Sequence, residues 1–348
     1  MVAAAKSAVT TPEIYSTFTK RSKLKSKDMN QETQEPKRVR AVQLGQMLKM
    51  EFAPDIQLLG QLIFAKTIGM IAGPRGGGKS LLSMLMSYAV AGGKELAPWG
   101  NGSGMPVAYF DGEMRAISFQ SRLRLLHARN GDPGSMRNVQ KSLHIISRDF
   151  AKDVIGYIDQ VEGQRRIDAL IPDEVKLIVI DNLSAWTSGG REDGGSWATI
   201  KAWLIEKRLQ GKSVLLVHHT GKNGKQRGSS AHEDLLDYSI LLSPTANNGD
   251  EQDTRFTVEH TKLRDHLPHL KQRYEFAIYT KDEKLYFDVA PAGMRVSEHA
   301  QEMLDMHTNN IPMSEIAEKF RVNKSTVSRT IQRLKAIATS AEAPAAVA

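Results

Sequence analysis

The stretch from Ile71 to Ser80 reads Ile-Ala-Gly-Pro-Arg-Gly-Gly-Gly-Lys-Ser and constrains the fold more than any other part of the chain. It matches the phosphate-loop pattern G-x-x-x-x-G-K-S, also called Walker A. An apolar run from Thr67 to Ala72 precedes it like a buried strand, and a Met- and Leu-rich segment from Leu81 to Val90 follows it like a helix. In that context, successive backbone N–H groups and the helix N-terminus form a binding site for phosphate.

The motif assigns a role to most of its residues. The three consecutive glycines allow the backbone to approach phosphate oxygens without a clashing Cβ atom. Lys79 is expected to bridge the β- and γ-phosphates of ATP, and the Ser80 hydroxyl is expected to ligate Mg²⁺. The predicted nucleotide-binding residues of the loop are Gly73, Pro74, Arg75, Gly76, Gly77, Gly78, Lys79, Ser80 and Leu81. The sequence therefore predicts ATP and Mg²⁺ as cofactors.

The composition limits the class of protein. The chain has 348 residues and no cysteine, which excludes disulfides and thiolate metal sites and fits a reducing cytoplasm. The first residues lack a secretory signal pattern, and no apolar run reaches transmembrane length, so we expect no membrane partner. A net charge of +8 is compatible with a polyanionic partner such as nucleic acid.

Apolar strands alternate with helical segments from the phosphate loop to His219. Strands are predicted at 67–72, 106–110, 143–147, 176–181 and 213–217, and helices at 41–50, 115–130, 153–170 and 197–210. Because each strand is apolar along its length, we expect a parallel sheet covered on both faces. After Asp237, four further strands follow with little helix between them, at 238–242, 255–260, 273–279 and 285–289. The fold class is therefore α/β, with a mostly parallel sheet and an antiparallel extension.

Four regions differ in their patterning. Residues 1–38 are rich in Lys, Ser, Thr and Gln and are interpreted as a disordered basic arm, either a solubilising tail or a DNA-contacting segment. Residues 39–292 form the nucleotide-binding core. Residues 296–338 have the pattern of a small domain of three helices, and the Ala-rich residues 339–348 that of a flexible tail.

Two acidic residues are candidates for the chemistry of ATP hydrolysis. Asp181 ends a strand of near-continuous apolar residues, the Walker B arrangement, where a carboxylate supports Mg²⁺. Glu113 follows the strand after the phosphate-loop helix, where a carboxylate is able to orient and deprotonate water. Asp111, two residues earlier, is the competing candidate. We favour Glu113 because it lies just beyond the predicted end of the strand.

Polar residues follow the later strands. His218 and His219 are adjacent on a strand and point to opposite faces, so they are poorly placed to share one metal ion. His219 is the candidate sensor of the γ-phosphate. The basic, Gly-rich loop after them carries Lys222 and Lys225, which are candidate contacts for nucleic acid. Lys262 and Arg264 share a face at the end of a later strand, where they are able to clamp a phosphate of the same or of a neighbouring subunit.

The last predicted helix, Lys324 to Ala336, is basic and carries no acidic residue. Val327, Ile331 and Leu334 recur at helical spacing and are expected to be buried. The opposite face offers small polar residues for base edges and cations for phosphates, as in a helix that reads duplex DNA. The candidate DNA-binding residues are Lys324, Ser325, Ser328, Arg329 and Arg333. A three-helix module that docks a protein partner is the alternative.

Residues 40–290 resemble the RecA-like ATPases of hexameric replicative helicases, most closely the RepA branch of plasmids and phages. The matching segments, in order, are GPRGGGKS, VAYFDGEM, LIVIDN, VLLVHHTGK and RGSS. The resemblance implies a RecA-like P-loop fold, Glu113 as the catalytic base and the histidine pair as a phosphate sensor. It also implies Arg227 as a finger that reaches the neighbour's nucleotide. The wider helicase group instead uses a Lys-x-Arg pair, here Lys262 and Arg264, so the identity of the finger is open. The last two helices resemble a helix-turn-helix.

These observations and the resemblance predict a homo-hexameric, ring-forming ATPase that unwinds DNA in phage or plasmid replication, with single-stranded DNA inside the ring. Duplex DNA is a further partner through the C-terminal domain. The alternative is a DNA-binding loader or regulatory ATPase that uses ATP as an assembly switch without unwinding. A small-molecule kinase is disfavoured because the C-terminal module would have no role in it.

Overall fold

A computed structural model of the chain describes residues 41–151, 155–189, 194–220, 234–245, 254–264, 267–292, 298–320 and 322–341. Contacts divide the chain into two compact units, residues 1–53 and 54–348. In the described part of the first unit, the predicted helix 41–50 shrinks to one turn, α1 (Leu44–Met47). Leu44 and Leu48 are exposed there, so apolar packing does not lengthen the helix.

The second unit alternates strands and helices. Its strands are β1 (Gln57–Leu59), β2 (Ile63–Phe64), β3 (Ile68–Gly73), β4 (Glu95–Leu96), β5 (Gly100–Asn101), β6 (Val107–Asp111), β7 (Leu143–Ser147), β8 (Leu177–Asp181), β9 (Ser213–His219), β10 (Tyr238–Pro244), β11 (Thr254–Leu263), β12 (Tyr274–Lys281) and β13 (Lys284–Pro291). Its helices are α2 (Lys79–Gly92), α3 (Ala116–Arg129), α4 (Pro133–Ser142), α5 (Val161–Asp168), α6 (Gly194–Leu209), α7 (Glu298–Thr308), α8 (Met313–Lys319) and α9 (Lys324–Ala341). Short 3₁₀ turns lie at Leu183–Trp186 and Pro268–Lys271.

Nine of these strands form one sheet in the order β13-β12-β11-β10-β3-β9-β8-β6-β7. The strands from β10 to β7 pair in parallel, and β11, β12 and β13 add an antiparallel extension beside β10. The predicted fold class, a mostly parallel α/β sheet with an antiparallel extension, is therefore confirmed.

Strand register gathers the candidate residues at one edge of this sheet. Gly73, which opens the phosphate loop, pairs with His219, and Asp111 pairs with Asp181. Strand β9 lies between β3 and β8, so His219 stands between the phosphate loop and Asp181. All of these residues end parallel strands, and the carboxyl edge of such a sheet is where ligands bind.

Helices cover both faces of the sheet, which explains why its strands are apolar along their whole length. On β6, Val107 and Tyr109 belong to one buried cluster, while Ala108 and Phe110 belong to the other. The first cluster also contains α2 and residues of α3, and the second contains α6 and the 3₁₀ turn after β8. The central strands β3, β6, β8 and β9 thus contribute side chains to two separate cores, whereas the antiparallel strands contribute to the first cluster only.

Between β6 and β8, one helix was missed and another was predicted too long. Helix α4 was missed because its polar sequence shows no helical period of apolar residues. Asp132 caps the start of this helix, where its carboxylate accepts a hydrogen bond from the Gly134 N–H at 2.9 Å. Of the helix predicted over 153–170, only the shorter helix α5 is present among the described residues. Before α5, Gly156 adopts a positive φ of 100° and the Ile158 N–H donates to the Trp186 carbonyl. The chain there is tied to the loop after β8 instead of to a helical turn.

The C-terminal helices α7, α8 and α9 share a small apolar cluster of their own. Val327, Ile331 and Leu334 are buried, as their helical spacing predicts. Lys324, Ser325 and Arg329 are exposed on α9, and Ser328 is half-buried. The side chain of Arg333 lies outside the described residues, so its predicted DNA contact stays a prediction.

Among the residues that the structure describes, no helix is both long enough and apolar enough to cross a membrane.

Candidate active site

The phosphate loop joins β3 to α2, as its strand and helix flanks predict. Gly76 and Gly78 have φ values of 71° and 87°, which favour glycine. A Cβ atom on Gly78 would lie 2.4 Å from the Phe256 ring, so this position has no space for a side chain. Helix α2 begins at Lys79, immediately after the loop. The result is a cradle of backbone at a helix N-terminus, which fits a bound phosphate chain.

Lys79 is buried at the floor of this cradle. Its Nζ donates to the Pro74 carbonyl at 2.7 Å, which holds the ammonium group within the loop. Burial lowers the pKa of Lys79, and the nearby carboxylates of Asp181 and Glu113 oppose that shift. The ammonium group therefore lies in a poorly solvated place where a phosphate dianion would be a better partner than a single carbonyl.

Asp181 is connected to the loop by a short hydrogen-bond network. Its carboxylate accepts from the Tyr109 hydroxyl at 2.6 Å and from the Ser80 side chain. Burial raises the pKa of Asp181, and both hydrogen bonds oppose the shift. The hydroxyl and carboxylate predicted for Mg²⁺ thus meet beside the phosphate cradle, which fits a hard cation that prefers oxygen ligands.

No cluster of three or more His, Cys, Asp or Glu side chains suited to a metal ion occurs in the described part of the chain. Magnesium in nucleotide sites usually takes few protein ligands and completes its shell with phosphates and water. Ser80 and Asp181 are the residues that would hold it here, and the bound ion would neutralise charge on the phosphates.

The two competing carboxylates, Asp111 and Glu113, have different surroundings. Asp111 is buried and accepts hydrogen bonds from the Met114 N–H at 3.2 Å and the Ser147 hydroxyl at 3.2 Å. Burial raises the pKa of Asp111. Glu113 instead lines the open cavity above the phosphate loop, with 55% of its side chain exposed. Of the two, Glu113 is therefore the carboxylate with access to water and to a bound nucleotide.

The two histidines of β9 also separate, as adjacent strand residues should. His218 is buried, whereas His219 lines the cavity. His219 Nε2 lies 3.0 Å from Asn182 Nδ2 and 3.6 Å from Glu113 Oε1. Burial, followed by the nearby Lys79 charge, lowers the pKa of His219. The lowered pKa favours the neutral ring, which lies between the phosphate loop and Glu113.

These groups surround a cavity of about 530 Å³. Its lining residues are Arg75, Gly76, Gly77, Gly78, Lys79, Ser80, Leu81, Glu113, Arg122, Asp181, Asn182, His219 and Thr254. Sequence reasoning missed Arg122, Asn182 and Thr254. Asn182 directly follows Asp181, which is a usable signal, whereas Arg122 and Thr254 come from elements that only tertiary packing brings to the loop.

A protein-family model described as an AAA domain matches residues 33–225, which is more than half of the chain. That span includes the phosphate loop, Glu113, Asp181 and both histidines. The chain belongs to the AAA domain family. It is thus a P-loop NTPase, and the predicted binding of ATP agrees with the family.

Two solved structures resemble this AAA domain protein at low identity. A KaiC-like protein from the archaeon Pyrococcus horikoshii OT3 is 16% identical, with a TM-score of 0.47, covering 68% of this chain and 100% of that one. The flagellar accessory protein FlaH from Methanocaldococcus jannaschii is 13% identical, with a TM-score of 0.43, covering 65% of this chain and 91% of that one. The identification rests on the family match and on the phosphate loop.

The remaining predicted site residues whose side chains the structure describes do not line the cavity. Lys262 lies near the end of β11 and Arg264 directly follows that strand, at the edge of the sheet opposite the phosphate loop. The Arg264 side chain pairs there with Asp237 at 3.3 Å. The C-terminal residues Lys324, Ser325, Ser328 and Arg329 line no part of the cavity. Lys222, Lys225 and Arg227 lie outside the described residues.

Proposed function

We propose that this protein is a ring-forming ATPase, most simply a homo-hexamer, that couples ATP hydrolysis to movement on single-stranded DNA. It would act as a DNA helicase in phage or plasmid replication in the bacterial cytoplasm. Within the reaction, Lys79 binds the β- and γ-phosphates, Ser80 and Asp181 hold Mg²⁺, and Glu113 accepts a proton from the attacking water. His219 reports the presence of the γ-phosphate.

The observation that carries the proposal is the position of Arg264. The backbone N–H of Arg264 donates to the backbone carbonyl of Asp237. The backbone N–H of Asp237 in turn donates to the carbonyl of Ile68, at the start of β3. Gly73 lies five positions after Ile68 on β3, a distance of roughly 16 Å along the strand. Arg264 therefore serves no phosphate in its own loop. Because 54% of its side chain is exposed, it suits a phosphate bound by a neighbouring subunit.

Exposed apolar side chains in residues 41–53 support assembly independently. Leu44, Leu48 and Phe52 are each more than 60% exposed. Large exposed apolar patches usually mark surfaces that contact another protein, and these three side chains are candidates for such a surface. A second copy of the chain is the partner that a ring requires.

Mixing experiments test the shared site. Subunits with Arg264→Ala are expected to inhibit wild-type ATPase activity more than in proportion to their fraction, since each one disables a neighbour's site and a ring whose subunits hydrolyse ATP in turn stalls at that site. The fold should survive, because Arg208 and the Ile68 N–H still bind the Asp237 carboxylate. ATPase rates across mixtures measure the effect, with nucleotide binding by the variant measured separately.

Arg273→Ala is the matched control for these mixtures, since Arg273 is also an exposed arginine held in an ion pair, with Glu259 at 2.8 Å. Its mixtures should show no such excess inhibition. Arg227→Ala belongs in the same series because the identity of the finger is open. A linear loss of activity with both Arg264→Ala and Arg227→Ala would contradict shared sites.

The C-terminal helices support a role on duplex DNA. Helix α9 exposes Lys324, Ser325 and Arg329, while its apolar side packs on the other two helices. Arg329→Ala is expected to weaken duplex binding and to reduce the slope of log affinity against log salt by about one unit. Binding curves at several salt concentrations measure it. Lys319→Ala, which removes a cation of α8 paired with Glu302, should leave the slope unchanged.

Strand displacement on forked DNA decides between the helicase and its alternative, the loader or regulatory ATPase. A helicase releases the labelled strand with ATP and fails to do so with a non-hydrolysable analogue. If the protein binds DNA and hydrolyses ATP but releases no strand on either fork polarity, the regulatory ATPase is the correct description.

A further inference from the structure

Arg122 lies on α3, the helix that follows Glu113, and its side chain lines the cavity of the phosphate loop. Two contacts hold the helix in position. The Asp149 carboxylate accepts from the Ala116 N–H at 2.8 Å, and the Phe119 ring packs on Tyr109 with centroids 5.3 Å apart. Because Tyr109 donates to Asp181, α3 is linked to the predicted magnesium site. Arg122 is therefore presented to the cavity by a fixed helix.

The guanidinium of Arg122 has a weak partner. Its Nη1 lies 3.2 Å from the sulfur of Met114, and thioether sulfur is a poor hydrogen-bond acceptor. Within the described part of the chain, no carboxylate forms an ion pair with Arg122. The planar guanidinium is suited to two parallel hydrogen bonds with phosphate oxygens. Most of its donors are therefore available to a ligand in the cavity.

We propose that Arg122 contacts the terminal phosphate of ATP bound in its own subunit. Glu113, three residues before α3, lines the same cavity, so the helix brings a cation towards the side where the γ-phosphate would be attacked. The cation would favour ATP over ADP and stabilise charge on the transferred phosphate. This inference rests on the ATP site alone and does not depend on DNA unwinding or on which arginine acts from a neighbour.

Direct binding measurements with a non-hydrolysable ATP analogue and with ADP, both with Mg²⁺, test the contact. Arg122→Ala is expected to weaken binding of the analogue about 10- to 100-fold, the usual loss for a hydrogen bond to a charged group. ADP binding should change less than about threefold, because ADP lacks the phosphate in question. Arg122→Lys, which keeps the charge but loses the planar fork, should fall between wild type and Arg122→Ala.

Arg124→Ala is the matched control. Arg124 is an exposed arginine of the same helix, two residues on, so it points about 200° away around the helix axis. Its removal should change neither affinity. Thermal melting checks that all variants fold, which is expected since Arg122 is exposed.

Three results would overturn the inference. Equal weakening of the ATP analogue and ADP would place the contact elsewhere on the nucleotide, and unchanged affinities would remove the contact altogether. Mixtures of Arg122→Ala with Lys79→Ala subunits should recover no activity, because each variant disables its own site. Recovered activity would show that Arg122 completes a neighbouring subunit's site, since an Arg122→Ala subunit with intact Lys79 would then receive Arg122 from its Lys79→Ala neighbour.

Discussion

Glu113→Gln is expected to bind ATP normally and to hydrolyse it about 10²–10⁴-fold more slowly, the usual effect of removing a positioned general base. Glutamine keeps the size and polarity of the side chain but cannot accept the proton from water. Glu113 is exposed to the cavity, so the substitution leaves the buried core unchanged. Single-turnover hydrolysis measured beside ATP affinity separates the chemical step from binding.

Asp111→Asn is the comparison that makes this result specific. Asp111 is buried and holds the Met114 N–H and the Ser147 hydroxyl, so its role in the described structure is to shape the turn that presents Glu113. Asparagine keeps one oxygen to accept from the Met114 N–H, and its amide group is able to donate to the Ser147 hydroxyl, so hydrolysis by this variant should stay much closer to wild type. If Asp111→Asn is the crippling change and Glu113→Gln is nearly active, the wrong carboxylate has been assigned.

Lys79→Ala is expected to abolish measurable ATPase activity, a loss of about 10²–10³-fold or more for a preorganised donor to phosphate charge. The fold should persist, since Lys79 is a buried cation whose burial is unfavourable and whose direct partner is a carbonyl of its own loop. Circular dichroism melting should show a midpoint equal to or above that of wild type. ATPase rate and nucleotide affinity, measured on the same preparation, give the functional loss.

Lys94→Ala tests whether the loss is specific to the loop. Lys94 lies just beyond the other end of α2 and pairs with Asp132 on the surface. Removing it should leave turnover near the wild-type rate. Near wild-type turnover from folded Lys79→Ala would contradict the assignment of the phosphate loop.

Much of the candidate site was predictable because its chemistry depends on local sequence. The glycines at 76 and 78 have the positive φ angles that the phosphate loop requires, and helix α2 begins at Lys79. Asp181 ends a buried strand, as an apolar run followed by an acid indicates. These features arise from residues within one turn or one strand of each other, so the backbone expresses them without distant contacts.

Local patterns failed where long-range contacts decided the outcome. Helix α4 has few apolar residues and packs on α2 through Val139, Ser135 and Asn138, whose partners are more than 30 residues away in the chain. The predicted helix over 153–170 is interrupted because the loop after β8 binds its backbone at Ile158. Periodicity within the segment carries no information about that partner.

The sequence by itself determined that this chain binds a nucleotide phosphate at a strand–loop–helix junction within a mostly parallel α/β sheet, because glycine conformations and apolar runs act locally. Tertiary structure decided which side chains reach that phosphate site. The order of strands puts His219 between the loop and Asp181, and the packing of α3 turns Arg122 towards the cavity. The tertiary structure also places Arg264 at the edge of the sheet opposite the phosphate loop, because β11 pairs antiparallel with β10 and its chain runs away from the loop. Strand order and helix orientation follow from the lowest free energy of the whole core, which no short segment of sequence specifies.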